Sequence, residues 1–297
     1  MGINFDLPWR IHWRLGEGGA EHLARQVRSC RPLSTVIELQ DPEDLDDLGL
    51  PWDGTEVVAS LEGWKLCKRE LTNEGIRRWE FPVTDRGEAG EIRKRFFHEI
   101  TPGIASLRWT PERDGLSRLP DILDAAARYG FGLTLPNRHA NDISSRGNET
   151  LPLPEEIKEL DRENILEVIG RLGVDHLRIH DFIISEFLGM DGPEPGGCEA
   201  GNSIAFIDGD GIVYPCCSLL IPLGDLNEDD FAGIWKNPAR DRIRKDLLEL
   251  PSVCRSCSLL AACQGGCRGI VYHLFGHYGA PDPLCLIGAG VDNGSGS

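Results

Sequence analysis

Positive charge is scarce in this chain: 31 Lys and Arg stand against 48 Asp and Glu, a formal net charge of −17. Such a surface repels phosphate backbones, so a nucleic-acid partner is not expected, while a cationic peptide or basic protein would be attracted. Long apolar runs are missing as well. No stretch approaches the roughly 18 apolar residues of a membrane span. Residues 1–8 (MGINFDLP) hold neither a basic run nor an apolar core of signal length. A cytoplasmic protein with no membrane partner is expected. The sequence offers no nucleophile triad, paired-carboxylate motif, nucleotide fingerprint or internal repeat that would indicate a familiar mechanism. Cysteine is nearly absent from the first 197 residues, where Cys30 and Cys67 stand alone.

What is present suffices for a buried core: 297 residues, 40% of them hydrophobic. Short runs rich in β-branched and aromatic residues predict strands over 10–15, 35–39, 56–60, 80–83, 106–109, 131–135 and 176–180. Between them, helical spacing appears over 20–27, 119–129 and 155–172, with Gly130 and Gly173 where C-caps belong. Alternation of this kind predicts an α/β fold with parallel strands and crossover helices, as an open sheet or a partial barrel. The Gly/Pro run over 189–197 reads as a linker. Beyond it, 204–208 and 212–214 flank a glycine turn and predict a hairpin, and 230–248 reads as helical. A Gly/Ser tail closes the chain.

Eight of the ten cysteines fall between Cys198 and Cys285. Cys198 leads through Gly211 to Cys216 as C-x12-G-x4-C. Cys254, Cys257, Cys263 and Cys267 follow as C-x2-C-x5-C-x3-C, and Cys285 closes the set seventeen residues on. Without an export signal a disulfide framework is disfavoured, and clustered thiolates indicate metal. Thiolate suits iron–sulfur clusters and zinc alike, so both remain open at this point. Gly211 permits the turn that should bring Cys198 and Cys216 together. Cys217 should point to the face opposite Cys216. His273 and His277, four apart, would share a face if helical, although a surface or capping role is favoured.

The segments CEAGNSIAFIDGDGIVYPC, GDLNEDDFAGIWKNP and CRSCSLLAACQGGCRG resemble the SPASM domain, the auxiliary-cluster module of peptide-modifying radical SAM proteins. The resemblance covers about residues 196–287. It implies two [4Fe–4S] clusters, the first on Cys198, Cys216 and Cys267, the second on Cys254, Cys257, Cys263 and Cys285. The first set is one ligand short. Asp191 is the candidate to complete it, with Glu194 or a site open to solvent or substrate as alternatives.

Radical SAM enzymes carry C-x3-C-x2-C in the loop after the first barrel strand, and this sequence has no such triplet. After residue 15 it reads GEGG, a tight turn in preference to a phosphate cradle. The chain is therefore similar to the SPASM-domain proteins of the GeoRSP system. That resemblance implies a degenerate radical-SAM-like partial barrel over 1–187, a small α+β SPASM domain over 188–289 and a flexible tail over 290–297. It also implies no SAM binding. The expected role is an accessory or electron-relay partner of a radical SAM/SPASM peptide maturase, acting with a PqqD-like peptide chaperone and a small peptide substrate. The alternatives are a stand-alone enzyme using an open auxiliary cluster, or a zinc-bearing peptide-binding module.

Overall fold

A computed structural model describes residues 5–16, 20–72, 74–97, 103–146, 150–190 and 198–286. Its centre is one sheet built from β1 (Arg10–Arg14), β2 (Ser34–Leu39), β3 (Glu56–Leu61), β4 (Arg78–Pro82), β5 (Ala105–Arg108), β6 (Gly132–Leu135), β7 (Leu177–Ile179), β8 (Ile204–Ile207), β9 (Ile212–Tyr214) and β10 (Gly224–Asp225). The strand order is β10-β9-β8-β1-β2-β3-β4-β5-β6-β7. Each of β1 to β6 pairs parallel with its successor, and β8 returns to pair parallel with the free side of β1. β9 and β10 add antiparallel. The order has two ends, as in a partial barrel. All seven strands expected in the first part form, with edges shifted by one or two residues.

The strands sort their side chains by period two. Ile11, Trp13, Ile37, Leu39, Trp79 and Phe81 are buried in one continuous core with the helices. Burying each large side chain contributes about 1.5–3 kcal/mol. The alternate positions are polar: His12 on β1, Glu38 on β2, Ser60 on β3, Glu80 on β4, Arg108 on β5 and Thr134 on β6. This inner face carries the charge discussed below.

The helices are α1 (Ala20–Ser29), α2 (Arg86–Phe96), α3 (Leu119–Tyr129), α4 (Ala140–Arg146), α5 (Pro154–Lys158), α6 (Arg162–Leu172), α7 (Phe182–Leu188), α8 (Phe231–Trp235), α9 (Pro238–Leu247), α10 (Leu260–Cys263) and α11 (Arg268–Phe275). α3 matches its expected bounds and ends on left-handed Gly130. Three differences from the sequence reading have local causes. The helix expected over 155–172 is two, because the Asp161 carboxylate accepts the Asn164 N–H and starts α6 afresh. The helix expected over 230–248 breaks at Asn237-Pro238, where Asn237 caps α9. α2 was not expected. It is set by an Asp85–Glu88 capping box and buries little more than Ala89, Gly90 and Ile92 beside Glu88. The 191–197 part of the linker, residues 17–19 and the tail lie outside the described residues. Among the described residues no helix is long and apolar enough to cross a membrane.

Gly16 has a steric task. Its backbone lies against the turn between β8 and β9, and a Cβ there would overlap the carbonyl oxygen of Gly209. A tight backbone contact thus accounts for glycine at the first position of the expected turn. Gly16→Ala should push the hairpin off β1 and destabilise the fold by about 1–3 kcal/mol. An unchanged denaturation midpoint would contradict that packing.

Candidate metal centres

The hairpin brings Cys198 and Cys216 together. Asp208 fixes its turn, its carboxylate accepting the N–H groups of Asp210 and Ile212 and the Tyr214 hydroxyl. Gly211 adopts φ +88°, which a Cβ would disfavour. At the open end the Gly201 N–H donates to the Pro215 carbonyl at 2.9 Å, closing the base of the hairpin beside both cysteines. From α9, Arg244 donates to the Ala200 carbonyl at 3.0 Å and also to that of Cys198.

The dense cysteine run folds as two short turns and a reversal. A 3-10 turn over Ser252–Ser256 carries Cys254, with Cys257 just past it, and α10 ends on Cys263. Gln264, Gly265 and Gly266 then all take positive φ, turning the chain back so that Cys267 stands at the N-cap of α11. Asp282 staples this loop to the last cysteine. Its carboxylate accepts the N–H of Cys267 at 2.7 Å and of Leu284 at 2.8 Å, while its carbonyl accepts the Cys285 N–H at 2.9 Å. Burial raises the Asp282 carboxyl to about 7. α11 packs closely on the Cys216 segment: a Cβ on Gly269 would meet the Ser218 carbonyl oxygen at 2.8 Å.

The thiols fall into two neighbourhoods. Burial raises Cys216 well above its ordinary value, with further upward pressure from Cys217, Cys198 and Cys267. Cys267 is pushed up to about 12, first by burial, then by Asp282 and Cys198. Separately, burial raises Cys254, helped by Cys285 and Cys257. Cys263 goes to about 12 through burial, Asp282, Cys285 and Cys254. Cys198, Cys216 and Cys267 therefore act on one another, as do Cys254, Cys263 and Cys285, with Cys257 acting on Cys254. None of the ten cysteines forms a disulfide.

The surroundings suit sulfur that carries negative charge. Backbone N–H groups of Ala200, Ser218, Gly265 and Ile270 point at the sulfurs of Cys198, Cys216, Cys263 and Cys267. Arg268 is 1% exposed and lies within electrostatic reach of Cys254, Cys198 and Cys267. One of its nitrogens donates to the carbonyls of Gly265 and Ala280, whereas its buried Nε and Nη2 have no hydrogen-bond partner among the described residues. An anionic iron–sulfur cluster would satisfy them. No three of the seven sulfurs lie within 4.8 Å of one another. One tetrahedral zinc would hold sulfurs about 3.8 Å apart, given Zn–S bonds of about 2.3 Å.

The remaining candidates sort clearly. Asp191 and Glu194 lie outside the described residues. His277 follows the end of α11, and its Nδ1 accepts the Gly279 N–H, a turn-capping contact. Cys30 is buried at the end of α1, its thiol donating to the Gln26 carbonyl. Cys67 is buried beside the Arg69 carbonyl.

A second constellation escaped the sequence reading. On the inner face of the sheet, Glu38 is 2% exposed and accepts from Arg14 at 2.9 Å and Arg108 at 3.0 Å. The same carboxylate lies 3.0 Å from His12 Nε2 and 3.1 Å from His139 Nε2. Burial opposes its charge, but His12 and His139 hold Glu38 well below the usual carboxylate range. Burial in turn lowers His12. Glu80 continues the network, accepting from Arg78 and Thr134. Above Glu38 and His139 a cleft of about 650 Å³ opens over the C-terminal ends of β2 to β6. The available signal was a charged residue at the same face of successive apolar strands: His12, Glu38, Glu80 and Arg108.

Residues 198–258 match the SPASM family, described as an iron-sulfur cluster-binding domain. That segment of the chain therefore carries a SPASM, iron–sulfur cluster-binding, sequence. It is similar to the AdoMet-dependent heme synthase of Methanosarcina barkeri, 33% identical over 94 residues, 32% of this chain and 27% of that protein. The corresponding protein of Nitratidesulfovibrio vulgaris is 33% identical over 89 residues, 30% of this chain and 24% of that one. The matches thus span about a quarter of these relatives. Among solved structures, Streptococcus suis SuiB aligns over 94% of this chain and 77% of its own, with TM-score 0.61 and 14% identity. The enzyme anSMEcpe with bound AdoMet and a peptide aligns over 94% of both chains, with TM-score 0.61 and 11% identity. At these identities the structural likeness concerns the fold alone.

Arg268 gives a test of the site. Arg268→Met removes a buried cation and its N–H donors while leaving every thiolate. Bound clusters should then titrate at a more negative potential, because positive charge and hydrogen bonds at the sulfurs favour the reduced form. An unmoved potential at unchanged iron content would show that the guanidinium faces no cluster.

Proposed function

We propose that this chain is an accessory iron–sulfur protein that relays electrons for, or docks with, a radical SAM peptide maturase. In this reading Cys198, Cys216 and Cys267 hold one [4Fe–4S] cluster, and Cys254, Cys257, Cys263 and Cys285 hold another. The observation that carries it is the separation of seven thiols into two neighbourhoods, beside a first strand–helix loop of residues 15–19 that contains no thiol. When bound, such clusters supply one-electron transfer. The chain's own part is to hold the thiolates at fixed positions, to offset their charge with backbone N–H groups and Arg268, and to keep Cys267 and Cys285 in register through Asp282. The acidic surface suits a basic docking partner. A PqqD-like chaperone and a small peptide complete the proposed system, and Asp191 or an outside group completes the three-thiolate cluster.

A stand-alone enzyme is the second reading, favoured by the cleft over the strand ends. One set of measurements separates the two. Anaerobically reconstituted protein should hold roughly eight irons, the content of two [4Fe–4S] clusters. Cys257→Ala or Cys285→Ala should remove about half of the iron, since four thiolates bind as one unit. Cys30→Ala and Cys67→Ala should leave it unchanged. The isolated protein should form no 5′-deoxyadenosine from SAM, yet should raise peptide modification by its cognate maturase, and Cys257→Ala should abolish that gain. Formation of 5′-deoxyadenosine by the isolated chain would select the enzyme reading. Zinc with sulfur-only ligation in place of iron would end the redox reading altogether.

A further inference from the structure

The inner-face constellation holds donors that the proposed iron–sulfur sites do not use. A ring nitrogen of His12, a ring nitrogen of His139 and the Cys217 Sγ all lie within 4.8 Å of one another, the only such group among the described residues. They come from three separate parts of the chain: the middle of β1, the loop before α4, and the segment just past β9. Two contacts hold that loop to the Cys217 segment. The Ala140 N–H donates to the Cys217 carbonyl at 3.0 Å, and the Ser218 hydroxyl donates to the Arg138 carbonyl at 2.6 Å. Cys216 neighbours Cys198 and Cys267, whereas Cys217, one residue on, reaches the two imidazoles. Phe206, on β8 beside His12, stands edge-on to both imidazoles at 5.4 and 5.3 Å and fixes their planes.

We infer that this is a mononuclear metal site, built for one divalent cation of the zinc class and held by His12, His139 and Cys217, with Glu38 beside it as a charge partner. Two imidazoles and a thiolate suit zinc and similar borderline cations and discriminate against calcium and magnesium. Glu38 Oε1 stands 3.0 and 3.1 Å from the two Nε2 atoms, outside the compact three-donor group but close enough to orient the imidazoles. Arg14 holds Glu38 Oε2 and Arg108 stands 3.0 Å from Oε1, so the carboxylate is fixed in place beside the two imidazoles. The thiolate offsets one charge of the cation, and the neighbouring Glu38 carboxylate offsets the other. His12 Nε2 is buried, with no hydrogen bond of acceptable geometry among the described residues, an orphaned polar atom that a bound cation would account for. The cation would lie at the floor of the cleft, which His139 and Glu38 line.

The test uses the full chain with its iron–sulfur clusters reconstituted, given one equivalent of Zn²⁺ against a weak chelator. Zinc and iron are counted separately, so failure here leaves the iron–sulfur reading untouched. The wild type should retain one zinc in addition to its iron. X-ray absorption at the zinc edge should show one sulfur at about 2.3 Å among nitrogen and oxygen at about 2.0–2.2 Å. Cys217→Ala and His12→Phe should each weaken zinc retention at least about tenfold with iron content unchanged. No retained zinc, a sulfur-only shell, or loss of iron in Cys217→Ala would each overturn the assignment. The wild-type absorption spectrum decides the matter even if a variant fails to fold.

Discussion

The pairing of β8 with β1 is the contact on which the rest of this structure depends. Without it, the cysteine-rich part would be a separate module on a linker. With it, residues 204–207 extend the sheet in register with residues 10–13, and the close backbone approach of Gly16 to Gly209 locks the turn against the segment after β1. The hydrophobic core is accordingly continuous, taking in Ile11 and Trp13 on one side and Ala205, Ile207 and Val213 on the other. A rigid shared sheet fixes the distance between the cysteines and the inner face, which a flexible tether would not.

Burial sets the chemistry of the thiols in turn. Desolvation is the largest influence on every thiol whose acidity is shifted, and it favours the neutral form. A set of neighbouring thiols raised this far does not ionise on its own near neutral pH. A bound metal reverses the preference, because coordination deprotonates the sulfur outright. The N–H donors at Ala200, Ser218, Gly265 and Ile270, together with Arg268, are aligned before any metal arrives. They lower the cost of gathering negative sulfur in a dry site, while Asp282 pushes the other way and does structural work as a loop staple.

Much of this was legible in the sequence, for identifiable reasons. The seven strands of the first part show because they are short runs rich in β-branched and aromatic residues, and the cysteine spacing is dense enough to mark metal by itself. α2 was invisible because its buried face is made of Ala89, Gly90 and Ile92, too small and too few to give a helical signal in a polar run. The helix over 155–172 divided because a capping carboxylate at Asp161 competed successfully with an unbroken apolar stripe. The Glu38 cluster was out of reach for another reason. Its partners come from 24 and 101 residues away, and no local pattern announces a contact that only the sheet creates.

The same logic explains why two adjacent cysteines need not share a fate. Just past β9 a turn, closed by the Leu219 N–H on the Cys216 carbonyl, leaves Cys216 near Cys198 and Cys267 and Cys217 near His12 and His139. A one-residue slip of β9 against β8 would displace this turn and both sulfurs with it. The register is protected against that slip at several points. Phe206 and Ile207 pair with Tyr214 and Val213, Asp208 binds both the turn and the Tyr214 hydroxyl, and Gly201 donates to the Pro215 carbonyl just before Cys216. These bonds surround the two cysteines and touch neither thiol. Their common effect is to decide which sulfur faces which set of ligands, so the fidelity of a short hairpin becomes the condition for keeping two kinds of donor set apart within one small region.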